Sequence, residues 1–172
     1  MTIETLNLHD TVGGVPNSPL PVVIYRQVIP AHIADTATWL EHHFAANGWP
    51  AQWRYIIYNF THFHAKTHEL LGVYAGESLL QLGGETGPQV NLETGDVVLV
   101  PAGVGHKAIE SSADFNVVGA YPQGMGADLC RDEPARLTVA RRLIGQVPLP
   151  ATDPITGRHG GITTLWHNPE QA

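Results

Sequence analysis

The chain has 172 residues, enough to bury one full hydrophobic core, with 43% hydrophobic and 15% charged residues. A formal net charge of −7, carried against nine basic residues, argues against a nucleic-acid groove. No apolar run reaches the roughly 18–20 residues of a bilayer span, and the start lacks a basic and an apolar leader region, so a cytoplasmic protein with no membrane partner is expected. Cys130 is the single cysteine, which rules out an intrachain disulfide and reads as a small packed residue.

In chain order, residues 1–20 are polar, carry Gly13-Gly14, Pro16 and Pro19, and read as an extended arm. The β-branched run Pro21 to Ile29 predicts a strand that Pro30 stops. From Asp35 to Asn47 the apolar residues Ala37, Leu40 and Phe44 recur at helical spacing, and Gly48 supplies the residue beyond the helix end. His42 and His43 in this helix read as ordinary packing or surface residues. From Gln52 to Pro122 short strands follow one another. Arg54 to His64 alternates without a break, and further strands are expected at 68–74, 77–82, 89–92, 96–100, 107–110 and 115–120. Many short strands with turn signals between them predict an all-β sandwich, barrel or jelly roll. A second helix is expected after Asp132, with Pro134 in its first turn, Leu137, Ala140 and Ile144 as its stripe and Gly145 at its end. Arg131, Arg136, Arg141 and Arg142 give this segment a solvated face. The tail 148–172, anchored by Trp166, is expected to pack over the barrel. With no internal repeat and no linker, one domain over 1–172 is expected. Its barrel core runs from about 52 to 122, preceded by the arm, strand and helix of 1–50 and followed by the helix and tail of 131–172.

The chemistry concentrates in Thr-His-Phe-His-Ala-Lys-Thr-His-Glu, residues 61–69. Side chains alternate across a strand, so His62 and His64 share a face with Arg54, Ile56, Tyr58 and Phe60 if the strand is continuous. A turn over 65–67 returns Glu69 to the same point, and His106, after the turn at Pro101 to Gly105, closes it from a third strand. A one-residue slip would present His68 instead, because it reverses every side chain; the parity drawn here selects Glu69 and leaves His68 in the surrounding shell or facing outward. Three imidazoles and a carboxylate suit a borderline divalent ion: Mn, Fe, Ni, Cu or Zn. On the same parity argument Tyr58 and Glu110 are candidate proton-transfer groups and Arg54 a candidate carboxylate clamp.

These residues resemble the two motifs of the cupin superfamily. His62, His64, Glu69 and Gly76 match the first motif, G-x5-H-x-H-x3,4-E-x6-G, and Gly95, Pro101, Gly103 and His106 match the second, G-x5-P-x-G-x2-H-x3-N. Ile56 stands where the first motif has glycine and Glu110 where the second closes on asparagine. The resemblance covers about 55 residues. It implies a double-stranded β-helix, often a homodimer, with His62, His64, Glu69 and His106 as metal ligands. Val-Gly-Ala-Tyr-Pro-Gln-Gly (118–124) and the tail from Gln146 further resemble a YjlB-like group of small bacterial cupins. The functional expectation is a metal-dependent enzyme, of oxygenase or isomerase type, for a small oxygen-rich or carboxylate substrate. A non-catalytic metal or small-ligand module and a purely structural metal are the competing readings.

Overall fold

A computed structural model describes residues 1–167; the last part of the expected C-terminal tail, 168–172, lies outside the described residues. Among the described residues eleven strands form two sheets, and their pairings are antiparallel. The first contains β1 (Thr2–Leu6), β2 (Val22–Arg26), β8 (Val97–Val100), β5 (Glu69–Ala75), β10 (Asn116–Ala120) and β3 (Ala51–Tyr55), in the order β1-β2-β8-β5-β10-β3. The second, β11-β4-β9-β6-β7, contains β4 (His62–Phe63), β6 (Glu77–Leu82), β7 (Gln89–Glu93), β9 (His106–Ser111) and β11 (Cys130–Arg131). This is the all-β, jelly-roll architecture expected of a cupin barrel.

Both faces of the six-stranded sheet are covered, and that explains its sequence. Val22, Ile24, Leu71, Val73, Val98 and Val100 face inward onto Leu80, Leu82, Leu92 and Ala108 of the opposing sheet. Their neighbours Val23, Tyr25, Leu70, Val97 and Leu99 face outward, under Ala37, Leu40 and Phe44 of α1 (Thr36–Ala46) and under Trp49, Ile162 and Trp166. A strand buried on both sides reads as a continuous apolar run, as Val97-Val98-Leu99-Val100 does. Each large side chain buried this way contributes roughly 1.5–3 kcal/mol. α1 begins where Asp35 accepts the Thr38 backbone N–H at 3.1 Å. It approaches β5 at Gly72, where a Cβ would come within 2.8 Å of the Phe44 ring. α2 (Leu137–Ile144), led in by a 3₁₀ turn at Pro134–Arg136, places Ala140 over Phe63 and Ala65 on the outer face of the second sheet.

The expected strand from Arg54 to His64 is interrupted. β3 ends at Tyr55 in one sheet and β4 starts at His62 in the other, so residues 56–61 form a crossover between sheets. Face parity cannot be carried from Arg54 to His64 across that crossover. A second irregularity lies in β9: Leu79 pairs with Glu110 but Leu80 pairs with Ala108, so Ile109 is an extra residue that resets the alternation. The N-terminal arm supplies β1, which pairs with β2, and Asn17, which is buried. The Asn17 side chain donates to the Asp10 and Gly83 carbonyls at 2.7 and 2.8 Å and accepts from Gly105 N–H at 3.2 Å. The arm is thereby tied to the turn that presents His106.

Candidate metal centre

Parity in β5 decides the side on which each ionisable residue lies. Glu69 shares the inward face of Leu71 and Val73, whereas His68 shares the outward face of Leu70. On the inward side His62 is directly opposite His106 in the β4–β9 pairing. Gly103, at φ +95°, forms the turn before His106 and donates its N–H to the His64 carbonyl at 2.8 Å. A Cβ at Gly103 would lie 2.6 Å from the Asn17 carbonyl, so this close turn needs glycine.

Each of His62, His64 and His106 offers a ring nitrogen, and the three lie within 4.8 Å of one another in a buried cluster. Glu69 spans two of them, with Oε2 3.0 Å from His64 Nε2 and Oε1 3.1 Å from His106 Nε2. The opposite nitrogens are all occupied by backbone. His62 Nδ1 donates to the Phe60 carbonyl at 2.9 Å, His106 Nδ1 to the Val104 carbonyl at 3.0 Å and His64 Nδ1 to the Asp128 carbonyl. A carbonyl can only accept, so each Nδ1 carries the hydrogen and a neutral ring turns an Nε2 lone pair inward. Three lone pairs and a carboxylate then meet at one point. His64 Nε2 is buried there with no aligned hydrogen-bond partner among the described residues.

Acceptors so gathered call for a cation, either a metal ion or an added proton. Burial disfavours a charged His64, yet the Glu69 carboxylate and the Asp128 carbonyl outweigh it and raise its pKa to about 9. Burial, with His106 alongside, pushes His62 down to about 3. Burial works to raise Glu69, but His64 and His106 hold it well below the usual carboxylate range. The donor set and its held Nδ1 atoms fit a borderline divalent metal ion, for which orientation of the second ring nitrogen is the usual support.

Sequence reasoning missed Tyr121, Trp53 and Asp128 around this cluster. Tyr121, just after β10, donates to Glu69 Oε2 at 3.3 Å and accepts from Trp53 Nε1 at 2.8 Å. The alternation inward at Val117 and Gly119 reaches Tyr121, a signal that could have found it. Asp128 holds His64 through its carbonyl, and its carboxylate accepts the Ala65 and Lys66 N–H groups at 3.0 Å. Nothing local in the sequence marks that contact.

The other expected residues separate. Tyr58 stands at the cavity mouth, 40% exposed, its ring stacked on Phe60 and edge-on to His62. Arg54 stands at the edge of the cavity with its guanidinium in an ion pair. Its guanidinium grips both Glu41 oxygens on α1, at 3.0 and 2.6 Å, because the sheet face at that position is the helix side. Glu110 is also a correction: the extra residue Ile109 turns it out into solvent. His68 lies behind the sheet, where Nδ1 accepts the Ala102 N–H at 2.9 Å and the ring rests 4.7 Å from that of Trp166. Burial lowers its pKa to about 4.

A cavity of about 430 Å³ opens over the cluster, walled by Trp53, Tyr55, Ile56, Tyr58, Leu71 and Leu129. Neither the N-terminal arm nor the described part of the tail lines it. Trp166 of the tail packs behind the six-stranded sheet instead. Among the described residues no helix is long and apolar enough to cross a membrane.

No protein-family model matches the chain. The uncharacterized protein YjlB of Bacillus subtilis (strain 168) is 38% identical over 155 residues, 90% of this chain and 91% of that protein. Solved structures give looser likenesses. A DUF861 family protein from Thermotoga maritima is 21% identical with a TM-score of 0.35, over 57% of this chain and 96% of that one. An oxalate decarboxylase is 19% identical with a TM-score of 0.34, over 64% of this chain and 23% of that one. Overlap this loose says nothing of chemistry. The sequence identity to YjlB extends across nearly all of both chains and accompanies both cupin motifs on a jelly-roll barrel: the chain is a cupin of the YjlB family.

Proposed function

We propose that His62, His64, Glu69 and His106 bind one divalent metal ion and that the centre is catalytic, acting on a small molecule that presents oxygen atoms to it. The observation that carries this reading is the convergence of three Nε2 lone pairs and a carboxylate at the floor of an open cavity. When bound, such an ion supplies Lewis-acid polarisation of a substrate oxygen and, if it is iron, a site for dioxygen. The chain's own contributions are positional. Backbone carbonyls fix the three rings, Tyr121 holds Glu69, and the apolar wall limits water around the bound oxygens. Tyr58, at the mouth beside His62, is the group placed to exchange a proton with substrate.

The open cavity favours catalysis or ligand capture over a sealed structural ion, which would need the fourth side closed by protein. A homodimer of 172-residue single-domain chains is the assembly proposed, to be read by light scattering. The functional test has two stages. Protein purified without chelator is analysed for metals, with about one ion per chain expected. Protein loaded separately with iron, manganese and zinc is then screened against small hydroxy, oxo and carboxylate compounds, oxygen uptake being followed for iron. Product formation in one metal state supports the reading. Binding without turnover in every state would reduce it to a ligand module, and absence of metal would overturn it.

A further inference from the structure

The wall above the cluster differs in chemistry from its floor. Of the nine large apolar side chains exposed among the described residues, four (Tyr55, Ile56, Tyr58 and Leu129) stand at this one mouth. Trp53 and Leu71 continue the apolar surface down to Glu69. The charged side chains on the wall are already engaged: Arg54 by Glu41, and Asp128 by the Ala65 and Lys66 N–H groups. A second anionic part of a substrate would lose water here and meet no cationic side chain that is not already paired, at a cost of roughly a few kcal/mol.

Resting on the metal-centre reading above, we infer that the substrate joins a compact oxygen head to an apolar tail, a branched alkyl chain or an aryl ring. The head meets the His62, His64, Glu69 and His106 floor. The tail lies along Ile56, Tyr58 and Leu129, which are exposed at the mouth, with the buried Leu71 beneath them. Dicarboxylates, sugar phosphates and other molecules charged at both ends are excluded by the same wall. Mouth residues of this kind sort substrates by the apolar area they cover, and a ring-sized tail is worth roughly tenfold or more in affinity.

Three 2-oxo acids with one head and different tails test this: pyruvate, phenylpyruvate and 2-oxoglutarate. Their affinities are measured by calorimetry on zinc-loaded and on metal-free protein. Phenylpyruvate is expected to bind roughly tenfold or more tightly than the other two. Leu129→Asp and Ile56→Asp, at exposed mouth positions, should each erase that preference while zinc content stays unchanged. Equal or undetectable binding of all three acids, or a preference for 2-oxoglutarate, overturns the inference. The metal reading is judged separately by comparing the two metal states. If zinc changes no affinity, the metal reading fails, while the ratio between phenylpyruvate and pyruvate still decides the tail.

Discussion

His68 and Glu69 are adjacent in the chain yet serve two buried polar clusters on opposite faces of one sheet. Behind the sheet, a buried carboxylate is matched by donors, although His68 Nε2 and Thr156 Oγ1 are buried there without an aligned partner among the described residues. Asp153, fully buried, accepts from the Tyr25 hydroxyl and from the N–H groups of Ile155, Thr156 and Ile162, the last three at 2.7–2.8 Å. His68 accepts from Ala102, which places its hydrogen on Nε2, facing the Pro148 carbonyl outside strict hydrogen-bond geometry. In front, three histidines carry their hydrogens on Nδ1 and turn lone pairs toward a carboxylate. The same residue type with the opposite tautomer does opposite work. A matched cluster locks the tail to the barrel; an unmatched one waits for a cation.

The largest expected effect lies on the matched side. Asp153→Ala leaves the Tyr25 hydroxyl and three backbone N–H groups without an acceptor. It should cost about 3–5 kcal/mol, lowering Tm by roughly 10 °C or more, while the folded fraction still binds metal. A calorimetric scan with and without zinc checks both halves; a metal-binding defect in folded protein would mean the two sides are coupled.

On the unmatched side, a proton and a metal ion compete for Nε2 of His64. With that group raised to about 9, metal affinity should climb about tenfold per pH unit between roughly 7 and 9 and then level off. Competition against a chelator of known affinity across this range gives the slope, and a flat profile would contradict the assigned competition. Tyr121→Phe removes the hydroxyl that holds Glu69 and should weaken metal binding by roughly tenfold without altering stoichiometry.

The smallest effects sharpen the boundary of the front cluster. Arg54→Ala and Glu110→Ala should leave metal affinity unchanged, and loss of the exposed Arg54–Glu41 pair should move Tm by no more than about 2 °C. A weakened metal site in either variant would restore the roles that strand parity first implied for them.

The limits of that parity show how much was readable in advance. α1 was legible because Ala37, Leu40 and Phe44 repeat along one local face. The gathering of His62, His64, Glu69 and His106 was legible because paired strands of definite register convert spacing into position. Arg54 and Glu110 were misplaced because one crossover and one extra residue reset the alternation, and neither has a Gly or Pro to mark it. Asp128 reaches His64 across 64 residues, a contact set by how a loop drapes over the barrel and not by any local period. The apolar mouth was hidden for the same reason, since Tyr55, Ile56 and Tyr58, at the end of β3 and in the crossover, meet Leu129 from a loop about 70 residues on.

The most direct measurement compares His64→Ala with His68→Ala by zinc titration of folded protein. His68→Ala should keep about one zinc per chain with an affinity near that of the wild type, and pay only in stability. His64→Ala should lose more than about 100-fold in affinity with its fold retained. Full binding by His64→Ala, or its loss in His68→Ala, would contradict the account of which face holds the metal.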